Sequence, residues 1–337
     1  MTRTLLPRLS RAMPLLALAL SCSLPPVLAA QPGSPTAAAM AMVKAGRYTE
    51  ARRALAPYAR SHPGDGAAAL WLGRAYLGED STDQAVEWLE KAAPRVHTAD
   101  AYLVLAQAYG AQAGEAMLFS QPFLTRKVRN ALQTAAEIDP RNVKARLGLI
   151  QFHLGTPWLY GGSKDDADEQ VRQLGRVSPY WGGLGQALVM ASSSDMPGAE
   201  RTLTALSRQY PDSAGPVSML GGLYGQRRQW DRTWAVLDDF TRRNPGNRRI
   251  LFDVGSAAVA SGQRLDQGER ALVAYVSSPV GEDMPPVAMA RLQLGKLYEK
   301  RGREDLARAQ YQQALREDPH MLPARSALKA LDRPASS

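Results

Sequence analysis

Ala288-Met289-Ala290-Arg291-Leu292-Gln293-Leu294-Gly295-Lys296-Leu297-Tyr298, followed by Gly302, Ala307, Tyr311, Ala314 and Pro319, is the stretch that decides the fold. Leu294, Gly295 and Tyr298 fall at i, i+1 and i+4, so they share one helix face. Ala307, Tyr311 and Ala314 fall at i, i+4 and i+7 and form the face of a second helix. The small residues let two helices approach, the larger ones fill the space above the crossing, and Pro319 stops the second helix because it has no N–H to donate. The same arrangement occurs at Val217, Leu220, Gly221 and Tyr224 with Thr233, Leu237 and Pro245. It occurs again at Leu72, Gly73 and Tyr76 with Ala85, Leu89 and Ala92. Pro211 and Pro245 lie 34 residues apart, each twelve after a small residue, Ala199 and Thr233. Ala51 and Pro63, Ala167 and Pro179, and Ala307 and Pro319 keep the twelve-residue interval. A period in the thirties means stacked structural repeats, each unable to bury its apolar face alone.

The order Leu-Gly-x2-Tyr, then Ala-x3-Tyr, then Pro resembles the tetratricopeptide repeat, although Arg291 stands where that pattern opens with Trp. The resemblance implies an all-α, right-handed solenoid of about eight helix pairs with a C-terminal capping helix. The units divide as 31–141 (units 1–3), 142–277 (units 4–7) and 287–319 (unit 8). A Pro-rich break at 278–286 precedes the last unit, and the cap covers 320–332. Unit 3 is stretched, with Ala131, Leu132 and Ala135 arriving late after Tyr102, Leu105 and Tyr109, and unit 4 is also long. So many pairs leave no room for a separate catalytic domain.

Residues 1–30 read as a secretory signal peptide: Arg3, Arg8 and Arg11, an apolar run from Met13 to Leu20, and small residues before cleavage near Ala30. This predicts a periplasmic or secreted chain. The alternative is a lipoprotein anchored at Cys22, the single cysteine. Cleavage near Ala30 would remove that thiol from the mature chain, and with it disulfide chemistry. No later run approaches the roughly 20 apolar residues of a transmembrane helix. The net charge is +9; three of the 41 basic residues and none of the 32 acids lie in the first thirty, which leaves +6. The bases are scattered and not interleaved with aromatics, so nucleic acid is not an expected partner.

Catalytic and metal chemistry find little support. His62, His97, His153 and His320 share no i, i+4 spacing. Gly161-Gly162-Ser163-Lys164 is not a phosphate-loop pattern; it reads as a turn whose Ser163 caps a following helix with Asp165, Asp166 and Asp168 in its first turns. No cofactor, metal or catalytic residue is expected, and the function expected is binding of a protein or peptide in the cell envelope. The repeat resemblance implies a concave groove lined by the first helix of each pair. Its register assigns Leu70, Arg74, Leu103, Gln107, Leu147, Gln151, Gly222, Phe252, Ser256, Leu292 and Lys296 to that surface. The second candidate surface lies in the enlarged loops of units 3 and 4, Ala113 to Leu124 and Thr156 to Gly162, with Phe119, Phe123, Trp158 and Tyr160. Those loops are expected on one edge of the solenoid, burying one another to seal the seam. A pocket between them would instead suit a small-molecule or transport-accessory binder.

Overall fold

The computed structural model describes residues 34–115, 121–277 and 284–332, and among them every regular element is helical. Pairs one to three are α1 (Pro35–Lys44) with α2 (Tyr48–Ser61), α3 (Gly66–Gly78) with α4 (Thr82–Val96), and α5 (Ala99–Glu115) with α6 (Gln121–Ile138). Pairs four and five are α7 (Val143–Gly155) with α8 (Lys164–Val177), and α9 (Pro179–Ser192) with α10 (Met196–Gln209). Pairs six to eight are α11 (Ala214–Gln226) with α12 (Trp230–Arg243), α13 (Arg248–Ser261) with α14 (Leu265–Val276), and α15 (Val287–Lys300) with α16 (Glu304–Glu317). The helix α17 (Leu322–Leu331) packs on α16 and closes the stack, burying Ala324. Residues 1–33, which include the expected signal segment and Cys22, lie outside the described residues, as does most of the Pro-rich break.

First helices of successive pairs touch along α1–α3–α5–α7–α9 and again along α11–α13–α15. Second helices instead reach the first helix of the next pair, as in α4–α5 and α14–α15. Closer lateral packing of the first helices puts them on the inside of the curve, and the chain is an all-α solenoid with those helices on its concave side.

The helix starts follow from local chemistry. Asp65, Asn142, Ser163, Asp195 and Asn247 accept the backbone N–H three residues on, which satisfies one of the free donors of the first turn. Pro179 opens α9 instead of ending α8, where its fixed φ suits a first helical position. At the crossing inside a pair, a Cβ on Gly73 would lie 2.6 Å from Cγ of Leu89. At Gly295 it would fall inside the Tyr311 ring. Glycine is required there by close approach, as the repeat pattern implies.

The turn inside each regular pair carries a left-handed residue at Gly46, Asp80, Ser194, Arg228, Gly262 and Gly302. A Cβ is disfavoured in that conformation. Arg228 (φ 57) is an exposed, bulky case, as is Arg264 (φ 51) just after Gly262. Arg228→Gly is expected to stabilise the chain by about 0.5–1 kcal/mol, read as a higher urea midpoint with an unchanged slope.

The enlarged unit 3 is built differently from the sequence expectation. Its extra residues extend the helices, so that α5 has 17 residues and α6 has 18, and Phe123 and Leu124 are helical and not in a loop. Phe119 lies outside the described residues.

Candidate partner-binding surfaces

The concave face corrects part of the groove assignment. Leu70 is 4% exposed, Leu147 1% and Leu292 3%, so all three are core and unavailable to a partner. Each sits on a first helix flanked by second helices as well as by neighbouring first helices, and that crowding covers positions a lone helical wheel would leave open. Gln107 is exposed; Arg74, Leu103, Gln151, Gly222, Phe252, Ser256 and Lys296 are half-buried. Arg74 is already engaged: it reaches from α3 to Asp100 on α5 at 2.5 Å and lies over the Trp71 ring at 5.0 Å. It braces two units against each other.

A second polar arrangement lies outside the residues that the repeat register assigns to the groove. Ser218 on α11 donates its hydroxyl to Asp253 on α13, and Nε of Arg249 lies 3.4 Å from the same carboxylate. Burial pushes the Asp253 carboxyl above its usual range, and Arg249 and the Ser218 bond oppose that shift without cancelling it. Phe252, beside it, tilts against the Tyr275 ring with centroids 5.6 Å apart. The hydroxyl of Ser256, one helical turn on, is enclosed and has no hydrogen-bond partner among the described residues. Acceptor, donor, aromatic face and the Lys296 ammonium thus sit on neighbouring first helices. The signal that could have found this site is an acid inside the otherwise apolar run Ile250-Leu251-Phe252-Asp253-Val254, one repeat after Ser218.

The edge of units 3 and 4 also departs from expectation. Trp158, Leu159 and Tyr160 form a single 3-10 turn packed against α6. Trp158 is 84% exposed, Leu159 67% and Phe123 63%; only Tyr160 is half-buried. Trp158, Leu159 and Phe123 are therefore not buried against one another. The turn beneath them is tightly made. Pro157 O accepts from the N–H groups of Tyr160 (2.9 Å) and Gly162 (3.2 Å), and Gly161 is left-handed at φ 96. A Cβ on Gly162 would overlap the Thr156 carbonyl oxygen. Ser163 caps α8, accepting from the Asp166 N–H at 3.2 Å.

Under this turn His153 is buried, with its Nδ1 3.9 Å from the Asp166 carboxylate. Burial holds the imidazole pKa below its usual value, only partly opposed by Asp166. A depressed histidine pKa means the unfolded chain takes up the proton first. Its contribution to stability is therefore complete above the ordinary pKa near 6.5 and is lost as pH falls through the folded value. Wild type is expected to lose more stability than His153→Gln between pH 7 and pH 5, measured by urea unfolding at both; equal losses would contradict a buried neutral histidine.

A cleft of about 540 Å³ lies where the turns of units 1 and 2 meet residues 316–320, so the stack curves far enough to bring its last unit beside its first. Its charges are largely paired within the chain, as Arg52 with Glu79 at 2.5 Å and Glu317 with Arg291 at 2.5 Å. Among the described residues no group of three or more metal-ligating side chains converges, and no helix is long and apolar enough to cross a membrane.

Comparison with known proteins agrees with this architecture. Family models described as tetratricopeptide repeat match residues 42–109 and 255–321. The yeast Tom70 structure is similar over 84% of this chain at 12% identity with a TM-score of 0.58, and this chain spans 58% of that one. A tetratricopeptide repeat protein from Parabacteroides merdae is similar over 89% of this chain and 98% of its own, at 13% identity and a TM-score of 0.47. At these identities the likeness concerns the fold alone. No curated protein matches the chain.

Proposed function

We infer, from the premise that this chain is a tetratricopeptide repeat protein, that it is a non-enzymatic scaffold holding an extended segment of a protein partner along its concave face. The cell envelope is the proposed location, on the strength of the signal-like first thirty residues. The observation that carries the reading is the polar seam across α11, α13 and α15. An extended peptide presents backbone N–H and C=O groups that need partners. The Asp253 carboxylate, fixed by Ser218 and Arg249 and still 17% exposed, is an acceptor already in place. Phe252 offers apolar contact and Lys296 a positive charge for an acidic side chain.

Preorganised groups lose little freedom on binding, which favours affinity. The test is selection of a displayed random-peptide library on the immobilised chain, followed by fluorescence anisotropy of the enriched peptide. Phe252→Ala with Lys296→Ala is expected to weaken binding at least tenfold, about 1.4 kcal/mol. An unchanged affinity would remove the concave face from the account.

A further inference from the structure

We propose that the Trp158–Leu159 turn is a second, separate docking point, and that it takes an apolar cleft rimmed by basic side chains on a folded protein partner. The proposal does not depend on the concave face. It rests on three observations made at the same place. The first is exposure: Trp158 and Leu159 are 84% and 67% exposed on adjacent positions. Large apolar side chains held in water at a loop tip are a feature of recognition surfaces, where buried Trp residues carry much of the binding energy.

The second is rigidity. A floppy loop would fold its apolar residues inward. This one cannot, because two bonds to the Pro157 carbonyl close it, Gly161 takes a left-handed conformation, and Gly162 lies too close to Thr156 for any side chain. Below it, a Cβ on Gly161 would come within 3.0 Å of the Arg129 guanidinium, so the turn rests on α6. The side chains are displayed by a fixed base, and little freedom is lost when they dock.

The third is charge. The first turns of α8, next to the tip, carry Asp165, Asp166 and Asp168. Lys164 is taken by Asp168 at 2.7 Å, and Arg129 is half-buried at the base of the turn. Asp165 is exposed and has no ionic partner among the described residues, and Asp166 is 64% exposed. The tip therefore carries exposed negative charge in a chain of net charge +9. An anionic bilayer would be repelled by these carboxylates, whereas a partner with Lys or Arg around an apolar cleft is complementary to them.

The experiment places a photoreactive phenylalanine at position 159 of the full chain, keeping Trp158, and irradiates cells that express it. The expected result is a protein adduct whose crosslinked peptide carries Lys or Arg beside apolar residues. Its yield should fall at least tenfold in Trp158→Ala and in Asp165→Lys with Asp166→Lys. Trp158→Ala changes an exposed side chain, so its urea midpoint should stay within experimental scatter of wild type, whereas reversing Asp165 and Asp166 in the first turn of α8 should lower the midpoint slightly and leave the chain folded, as circular dichroism checks. An adduct to lipid, or to a second copy of this chain, would overturn the proposal. So would an adduct indifferent to the charge reversal, or the absence of any protein adduct. Mixing the purified chain with phosphatidylcholine–phosphatidylglycerol vesicles supplies a second reading: Trp158-dependent co-sedimentation would favour a bilayer and overturn the protein partner.

Discussion

Trp234→Ala is expected to destabilise the chain by about 4 kcal/mol, the upper range for loss of a large core side chain. Trp234 is 2% exposed and packs in the cluster formed by Val217, Leu237, Phe240, Ile250, Val254 and Ala258. Its indole N–H donates to Gln263 at 3.0 Å, and the Arg264 guanidinium lies over its ring at 4.7 Å. The side chain therefore belongs to α12 but is held by residues of the next unit. In a solenoid the stability is the sum of unit terms and neighbour-interface terms. Removing this pin weakens one interface selectively, so the variant should also lose cooperativity. Circular dichroism in urea should show a lower midpoint and a shallower or split transition. A loss below about 1 kcal/mol would contradict the role given to this residue.

Arg249→Ala is expected to cost about 3 kcal/mol, the low end for breaking an enclosed ion pair, because the pair retains some exposure. The Asp253 carboxylate would be left with Ser218 as its named partner. Its carboxyl is already held above the usual range by burial, and loss of Arg249 would raise it further. The folded state would then bind a proton more readily than the unfolded chain. The penalty should therefore be full above the raised folded pKa, shrink as pH falls through that value, and be gone at the ordinary carboxyl pKa near 4. Urea unfolding of the variant should show a larger loss at pH 7 than at pH 4. A loss independent of pH would mean that Arg249 acts through packing and not through Asp253.

The regular part of this fold was legible because its determinants are local. Leu72, Gly73 and Tyr76, or Leu294, Gly295 and Tyr298, mark a helix face within five residues, and Ala307 with Tyr311 marks the face it meets. Sequence spacing carries that information directly. Burial on the concave side was less legible. Leu70 and Leu292 occupy positions the register turns outward, yet neighbouring units cover them. Whether a position is open depends on the curvature of the stack, which no single unit encodes. The Ser218–Asp253 bond joins residues 35 apart, a contact made only when adjacent units stack. The tip was misread for a different reason. Two aromatic loops on one edge are expected to collapse together, but the Gly161 and Gly162 backbone holds Trp158 away from the protein, and that geometry is set by hydrogen bonds to Pro157 rather than by hydrophobicity.

Amide hydrogen exchange of the full chain with and without a library-selected peptide tests the central claim most directly. Concave binding predicts new protection confined to α11, α13 and α15, with α12, α14 and α16 unchanged. Protection on those outer helices, or none on α13 at saturating peptide, would contradict it.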